Sequence, residues 1–416
     1  MSAILTEAER AIAGRDDAAG LALRVVAEAA RLLGAARLIP IASAHIDGCL
    51  YQGDAGAAFS ERLVAGGGAV AVPTTLNVGA LDLLHPNRVR AAPARQAMAR
   101  RQMEAYLALG CRPTWTCAPY QAGHRPEAGQ DVAWGESNAV AFCNSVLGAR
   151  TNRYGDFLDI CCAIVGRAPD CGLHRPENRR ATVLVRTEGL SAALKDSEVF
   201  YPVLGAWLGA EVGAAVAVIE GLPAGLSEDR LKALGAAAAS TGAVGLFHVA
   251  GVTPEAPSVT AALGGADPER TLDITPEALR LARDRLSTAE AGRIDAIALG
   301  SPHFSYEEFG RLEAALAGCE VHLPFYVCTG RHALERLEAE GRRAPLEEAG
   351  VTLVTDTCVV VTPILPDGGG VVMTNSGKFA HYVPGTIGYG VVYGSLEDCV
   401  ASASDGRVRR DEGLWR

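Results

Sequence analysis

Segments of helical periodicity alternate with short apolar runs that end in polar, turn-forming residues, and this alternation recurs along the 416-residue chain. One apolar stripe runs through residues 5–35 (Leu5, Ala8, Ile12, Leu21, Leu23, Val26, Ala29, Leu32, Leu33) and predicts helix there. The run ARLIPIASAHID that follows predicts a buried strand with His45 and Asp47 at its tip. A helix over 57–65 leads to GGAVAVPTTLN, a strand ending in Thr74, Thr75 and Asn77, and a helix over 93–109 leads to CRPTWTCAPY, a short strand running into a loop. Strands are also predicted in ATVLV and AVAVIEGL, with the helix VLGAWLG between them, and Thr275 and Pro276 start a helix over 276–289. Further on, IDAIALGSPHF ends at His303, VHLPFYVCTG ends at Cys328, and VTLVTDTCVVVTP carries Cys358 on a strand. Helices alternating with short apolar strands predict α/β layers. Open α/β sheets bind ligands at strand ends, so the polar tips are where chemistry is to be sought.

Charge narrows the partners. Forty-eight acids against 38 bases give a formal net charge of −10, so no basic face is available for nucleic acid. The acidic, amphipathic N-terminus MSAILTEAERAIAGRDD has no secretory pattern. The apolar stretch LGAWLGAEVGAAVAVIEGL is broken by Glu211 and Glu220, which argues against a membrane span. A cytoplasmic location is expected. Eleven cysteines, an odd number without any Cys-x-x-Cys, do not form a disulfide framework in a reducing compartment. They are small core residues or metal ligands.

Three cysteines, Cys117, Cys328 and Cys358, sit at strand ends beside polar, turn-forming residues, which suits either reading; Cys161 and Cys162 lie in an apolar run and read as core. The stretch from 136 to 153 is denser in polar side chains than a core segment. If 136–148 is a helix, Ser137, Val140, Asn144 and Leu147 share one side, so Glu136, Ser137, Asn138, Asn144 and Ser145 do not simply face solvent. Asn152 lies between Arg150 and Arg153, which suit bidentate binding of a carboxylate or phosphate, or an ion pair with Asp156 or Asp159. His45 and His303 are candidate acid–base groups, or hydrogen-bonded structural histidines. The segment NSGK presents Ser376, Lys378 and backbone N–H groups to an anion, or forms a plain solvated turn. No G-x-G-x-x-G, Walker, Ser-elbow or H-E-x-x-H pattern occurs. The residues alone leave a metal enzyme and a metal-free α/β binding protein both open.

SAHIDG (43–48), VPTTLN (72–77), TCAPY (116–120), ESNAV and NSVLGARTNR within 136–153, GRAPDCGLH (166–174), GVTPEA (251–256), the Pro-His of LGSPHFS, DTCVVVTP (356–363) and NSGKFAHY (375–382) together resemble the large subunit of aconitase X. The resemblance spans nearly the whole chain. It implies an aconitase-like fold of several α/β lobes with mixed and parallel sheets; from the pattern along the chain the lobes are expected at 1–185, 186–272 and 273–416. It also implies a dehydratase with an iron–sulfur centre on three cysteines, and Cys117, Cys328 and Cys358 are the candidates. Archaeal relatives have Cys where this chain has Ser301, which leaves Cys328 for the third thiolate and the nuclearity (2Fe-2S, 3Fe-4S or 4Fe-4S) open. The small hydroxy-acid substrate implied is cis-3-hydroxy-L-proline, going to Δ1-pyrroline-2-carboxylate, with mevalonate 5-phosphate as the alternative. A small swivelling-domain subunit is the implied partner, and a Ser of that domain the implied base.

Overall fold

The computed structural model describes residues 4–289 and 292–415. They form two compact units, Met1–Leu81 with Ala91–Arg180, and Asp82–Arg90 with Ala181–Arg416. Among the described residues no helix is long and apolar enough to cross a membrane.

In the first unit the helical stretch over 5–35 divides into α1 (Glu7–Ala13) and α2 (Ala18–Leu32). The division lies at strong local signals: Thr6 and Glu9 form a capping box on α1, and the Asp17 carboxylate caps α2 by accepting from Gly20 N at 2.9 Å. The chain continues through β1 (Leu38–Pro40), β2 (Ala44–Ile46), α3 (Asp54–Ala65), β3 (Thr74–Leu76), α4 (Pro93–Ala108), β4 (Ala133–Trp134), α5 (Ser137–Ser145), α6 (Leu158–Val165) and β5 (Arg167–Pro169). The sheet order is β3-β2-β4, all parallel, while β1 pairs antiparallel with β5. The predicted strand in CRPTWTCAPY does not form; Arg112 makes only an isolated bridge to Thr75. Pro113 and Pro119 have no N–H for a ladder, and Trp115 is in the left-handed region at φ 43°. His45 lies in the middle of β2 rather than at its tip.

The second unit contains β6 (Val183–Arg186), α7 (Ala192–Asp196), α8 (Phe200–Val212), β7 (Ala217–Glu220), α9 (Glu228–Thr241), β8 (Phe247–Val249), α10 (Val259–Ala262), β9 (Arg270–Asp273) and α11 (Pro276–Arg285). Then come β10 (Ala296–Phe304), α12 (Tyr306–Leu316), β11 (Phe325–Thr329), α13 (Arg331–Ala339), α14 (Arg343–Glu348), β12 (Val351–Val354), β13 (Val371–Thr374), α15 (Gly377–Thr386), β14 (Gly390–Tyr393) and α16 (Leu396–Ala403). Two parallel sheets result, one ordered β8-β7-β6-β9 and one ordered β12-β11-β10-β13-β14. Helices α8 and α9 run close together because Gly205 and Gly209 carry no side chain; a Cβ there would meet Leu234 O at 2.2 Å and Ala238 O at 2.5 Å. The core of the five-stranded sheet joins Ile297, Phe325, Leu353 and Met373 to Phe309 of α12 and Leu337 of α13, all buried. Each contributes about 1.5–3 kcal/mol of apolar burial. Cys358 is not on a strand as expected: β12 ends at Val354, and Asp356 at φ 64° turns the chain.

Candidate active site

In the five-stranded sheet, the chain proceeds from β10 outward to β11 and β12, and from β13 outward to β14 on the other side. The order therefore reverses between β10 and β13, and such a switch point leaves a crevice at the carboxyl ends of the strands. A cavity opens there, lined by Ser301 and Pro302 from the end of β10 and by Asn375, Ser376 and Lys378 from the end of β13 and the start of α15. Ser376 caps α15, its Oγ accepting from Phe379 N at 3.0 Å and donating to the Ser301 carbonyl. The positive end of α15 and the Lys378 ammonium thus face one crevice, which Lys232, Arg311, Asp229, Glu308, Glu198 and Glu397 also line, so it carries both signs of charge.

Cys328 is the penultimate residue of β11 and Cys358 follows β12, and both thiols are buried. Cys328 Sγ accepts from Val359 N at 3.4 Å. The neighbouring Cys328 thiol, against an opposing effect of burial, holds the Cys358 thiol below the ordinary cysteine range; the Val360 N–H, the Ser301 hydroxyl and the Lys378 charge act in the same direction as Cys328. Gly300, at φ 85°, lets β10 approach β11 here, where a Cβ would meet Cys328 O at 2.0 Å. The second unit therefore brings Cys328, Cys358 and Ser301 together beside Lys378. Two adjacent buried sulfurs, both receiving N–H donors and one with its pKa lowered, fit an iron–sulfur centre, which soft sulfur ligands select. Among the described residues no group of three or more His, Cys, Asp or Glu side chains is gathered for a metal ion. His303 is fully buried on β10, and its Nε2 lies 3.1 Å from Thr357 O. Burial drives its pKa down to about 3.

In the first unit the candidate residues form a buried polar network on β2, β3, α5 and the adjoining loops. His45 Nδ1 meets Thr75 Oγ1 at 2.9 Å, while its Nε2 is buried without a hydrogen-bond partner among the described residues. Burial and the nearby His124 lower its pKa to about 3. Thr74 donates to Val72 O at 2.8 Å, and Asn77 donates from Nδ2 to Asp47. Glu136 caps α5 by accepting from Ala139 N at 2.6 Å, and Ser137 donates to Glu136 at 3.2 Å. Asn138 donates to the carbonyl of Cys117 at 2.9 Å, fixing that loop. Every residue of α5, Ser145 included, is buried.

Other polar residues of this stretch hold loops. Asn144 donates to Thr151 O at 2.9 Å and accepts from Thr151 N at 3.0 Å. Asn152 donates to Cys171 O at 3.0 Å and accepts from Leu173 N at 2.8 Å. Arg150 and Arg153 form isolated bridges with Asp131 and Trp134, and Arg150 Nε is buried without a hydrogen-bond partner among the described residues.

Two buried ionisable groups have roles that the sequence reading did not assign, Asp159 having been considered there only as an ion-pair partner of Arg150 or Arg153. Asp159, fully buried, accepts from Asp47 N at 2.7 Å, Gly48 N at 3.2 Å and Ile160 N at 2.6 Å. Burial outweighs those donors and raises its pKa to about 8. An acid inside the apolar run LDICCAIV was its signal. The other is Lys232, one of only three lysines, which is 2% exposed on α9.

Known proteins resemble this chain along most of its length. The sequence families described as aconitase X first, second and third domains match residues 3–177, 181–284 and 294–405. The chain is 44% identical over 404 residues to the cis-3-hydroxy-L-proline dehydratase of Pseudomonas aeruginosa, covering 96% of this chain and 69% of that protein. It is 40% identical to the enzyme of the same name from Hypocrea jecorina, covering 94% of this chain and 66% of that one. It is 41% identical to the phosphomevalonate dehydratase large subunit of Methanothermobacter thermautotrophicus, covering 87% and 88%. The crystal structure of Thermococcus kodakaraensis aconitase X in its holo-form superposes with a TM-score of 0.86 at 32% identity, covering 96% of this chain and 99% of that chain.

Proposed function

The chain belongs to the aconitase X family, and from that premise we propose that it is the large subunit of a cytoplasmic hydro-lyase that dehydrates cis-3-hydroxy-L-proline to Δ1-pyrroline-2-carboxylate. The carrying observation is the meeting of Cys328, Cys358, Ser301 and Lys378 at the switch point of the five-stranded sheet. The substrate is favoured by the 44% identity to the Pseudomonas aeruginosa hydroxyproline dehydratase, above the 41% and 36% to two archaeal large subunits; the 40% to the Hypocrea jecorina enzyme does not separate the two substrates. A small partner subunit is supported by those archaeal names, since the chain covers 88% and 94% of the two large subunits.

Cys328 and Cys358 are the proposed cluster ligands in the second unit, and Cys117 is the further candidate thiolate. When bound, an iron–sulfur centre with an open position supplies a Lewis acid for the departing hydroxyl. The chain's own residues bind and orient. Lys378 and the start of α15, capped by Ser376, hold the substrate carboxylate and favour the enolate-like charge that grows when the Cα proton leaves. Asp47, Thr74, Thr75, Asn77, Glu136, Ser137, Asn138, Asn144, Ser145, Arg150, Asn152 and Arg153 are the proposed binding network of the first unit, in which Asn144 and Asn152 act by holding loops. His45 and His303, both near pKa 3, are poor proton acceptors at neutral pH. The base is the Ser of the small subunit that the family resemblance implies, and the two histidines serve orientation. Loss of the Cα proton and the C3 hydroxide, together one water, gives an enamine that tautomerises to the cyclic imine, with no net redox change.

The test is anaerobic co-purification with the small subunit, followed by assays on cis-3-hydroxy-L-proline and mevalonate 5-phosphate. Turnover of the first alone is expected. Turnover of the phosphate ester alone would assign the other substrate, and a protein free of iron and acid-labile sulfide yet fully active would refute the cluster.

A further inference from the structure

Lys232, a buried cation, borders the same crevice as Ser301 and Lys378, together with Asp229 and Glu308, and the proposed chemistry gives it no role. Its ammonium meets three acceptors: the Glu308 carboxylate, Asp229 Oδ1 at 2.9 Å and the carbonyl oxygen of His303 at 3.3 Å. An ammonium has three N–H donors and no acceptor, so these partners satisfy it completely. Both acids are also fastened to the turn from β10 into α12. Glu308 accepts from Ser305 N at 2.7 Å and returns its own N–H to Ser305 Oγ at 3.1 Å, while Ser305 Oγ donates to Asp229 Oδ2 at 2.7 Å. Arg311 stands 3.5 Å from Asp229 and balances the second acid. One ammonium on α9 thereby ties down residues 303–308, and these lead directly from Ser301 and His303 of the site.

Buried ions are an expensive way to join two helices, because apolar packing of similar volume is as stable or more so. What apolar packing lacks is a directed bond to one chosen carbonyl. Here that carbonyl belongs to the residue whose ring reaches Thr357, next to Cys358.

We infer that Lys232 is a positioning residue for the reaction, holding the end of β10 so that Ser301 and His303 keep their places beside Cys358. The inference rests on the dehydratase reading for its kinetic readout alone. Lys232→Met and the double variant Lys232→Met/Glu308→Gln are compared with wild type, each loaded with iron and paired with the small subunit. Lys232→Met is expected to lower kcat about 10- to 100-fold, as sub-ångström to ångström misplacement does, with KM changed less than about threefold. Amide hydrogen exchange is expected to accelerate in residues 300–308 and to stay unchanged in β11. The double variant removes the unpaired buried acid, so it regains thermal stability but neither kcat nor slow exchange. Recovery of kcat and slow exchange in the double variant, or a kcat within twofold of wild type in Lys232→Met, would overturn the inference. If wild type does not turn over cis-3-hydroxy-L-proline, the substrate reading fails, and exchange in 300–308 still decides the role of Lys232.

Discussion

The His303 imidazole donates from Nε2 to the carbonyl oxygen of Thr357 at 3.1 Å, so a ring at the end of β10 holds the residue preceding Cys358. A carbonyl only accepts, so Nε2 carries the proton. With its pKa pushed down to about 3 by burial, the ring stays neutral across the working range. His303→Leu, which has no donor, should lower kcat about 10- to 100-fold by releasing that loop. The profile of kcat/KM from pH 5 to 9 should nevertheless keep its shape. An acid limb near pH 6.5 that is present in wild type and lost in the variant would contradict this account.

Asp159 and the two buried histidines act on stability with opposite signs. His45 and His303 titrate near 6.5 when unfolded and near 3 when folded. Between those values the unfolded chain binds more protons, so their stabilisation is present above pH 6.5 and lost as pH falls. Asp159 titrates near 3.8 unfolded and near 8 folded, so the folded chain binds the extra proton and stability falls as pH rises toward 8. Of these three groups only Asp159 acts between pH 6.5 and 8, where it should cost about 1–2 kcal/mol. Thermal unfolding midpoints should decline over that window in wild type, and less in Asp159→Asn. Parallel declines in the two proteins would show that Asp159 stays ionised.

The layered α/β class and the strand ends were legible because period-3.6 and short apolar segments alternate so regularly. The exact places of His45, Cys117 and Cys358 were not. Proline and positive-φ residues decide those loops, and their effect on the path of the chain depends on tertiary contacts that no local pattern encodes. Asn144 and Asn152 looked like ligand contacts for a related reason. Composition marks a dense polar segment but not whether its amides face a ligand or neighbouring carbonyls. Lys232 was invisible to periodicity, since a lysine next to the charged start of α9 reads as solvated, whereas the helix is buried almost all round from Leu231 to Ser240. Only its rarity, as one of three lysines, set it apart.

Arg179 supports the loops around α5. It is 4% exposed and donates to Asn144 Oδ1 at 2.9 Å, Asn144 O at 3.0 Å, Ala149 O at 3.1 Å and Leu173 O at 3.0 Å. Arg179→Met keeps much of the volume but strands these acceptors in a buried setting. A loss of about 3–5 kcal/mol is expected from denaturant midpoints at unchanged m-value. A loss below about 1 kcal/mol would mean that Asn144 and Thr151 hold the loops without it.

The cysteines divide by their surroundings, and that division is testable without an activity assay. Cys328, Ser301 and Lys378 draw the Cys358 thiol below the ordinary cysteine range, whereas burial pushes the Cys161 and Cys162 thiols well up. A thiolate binds metal, and a thiol held protonated in an apolar helix does not. Cys358→Ala and Cys328→Ala, purified without air, should therefore lose bound iron, acid-labile sulfide and visible absorbance while remaining folded. Cys161→Ala should keep all three, and its cost should be confined to lost packing of about 1 kcal/mol. If Cys358→Ala retains a full complement of iron and sulfide, Cys358 is not a ligand, and the meeting of its sulfur with Cys328 is core packing alone.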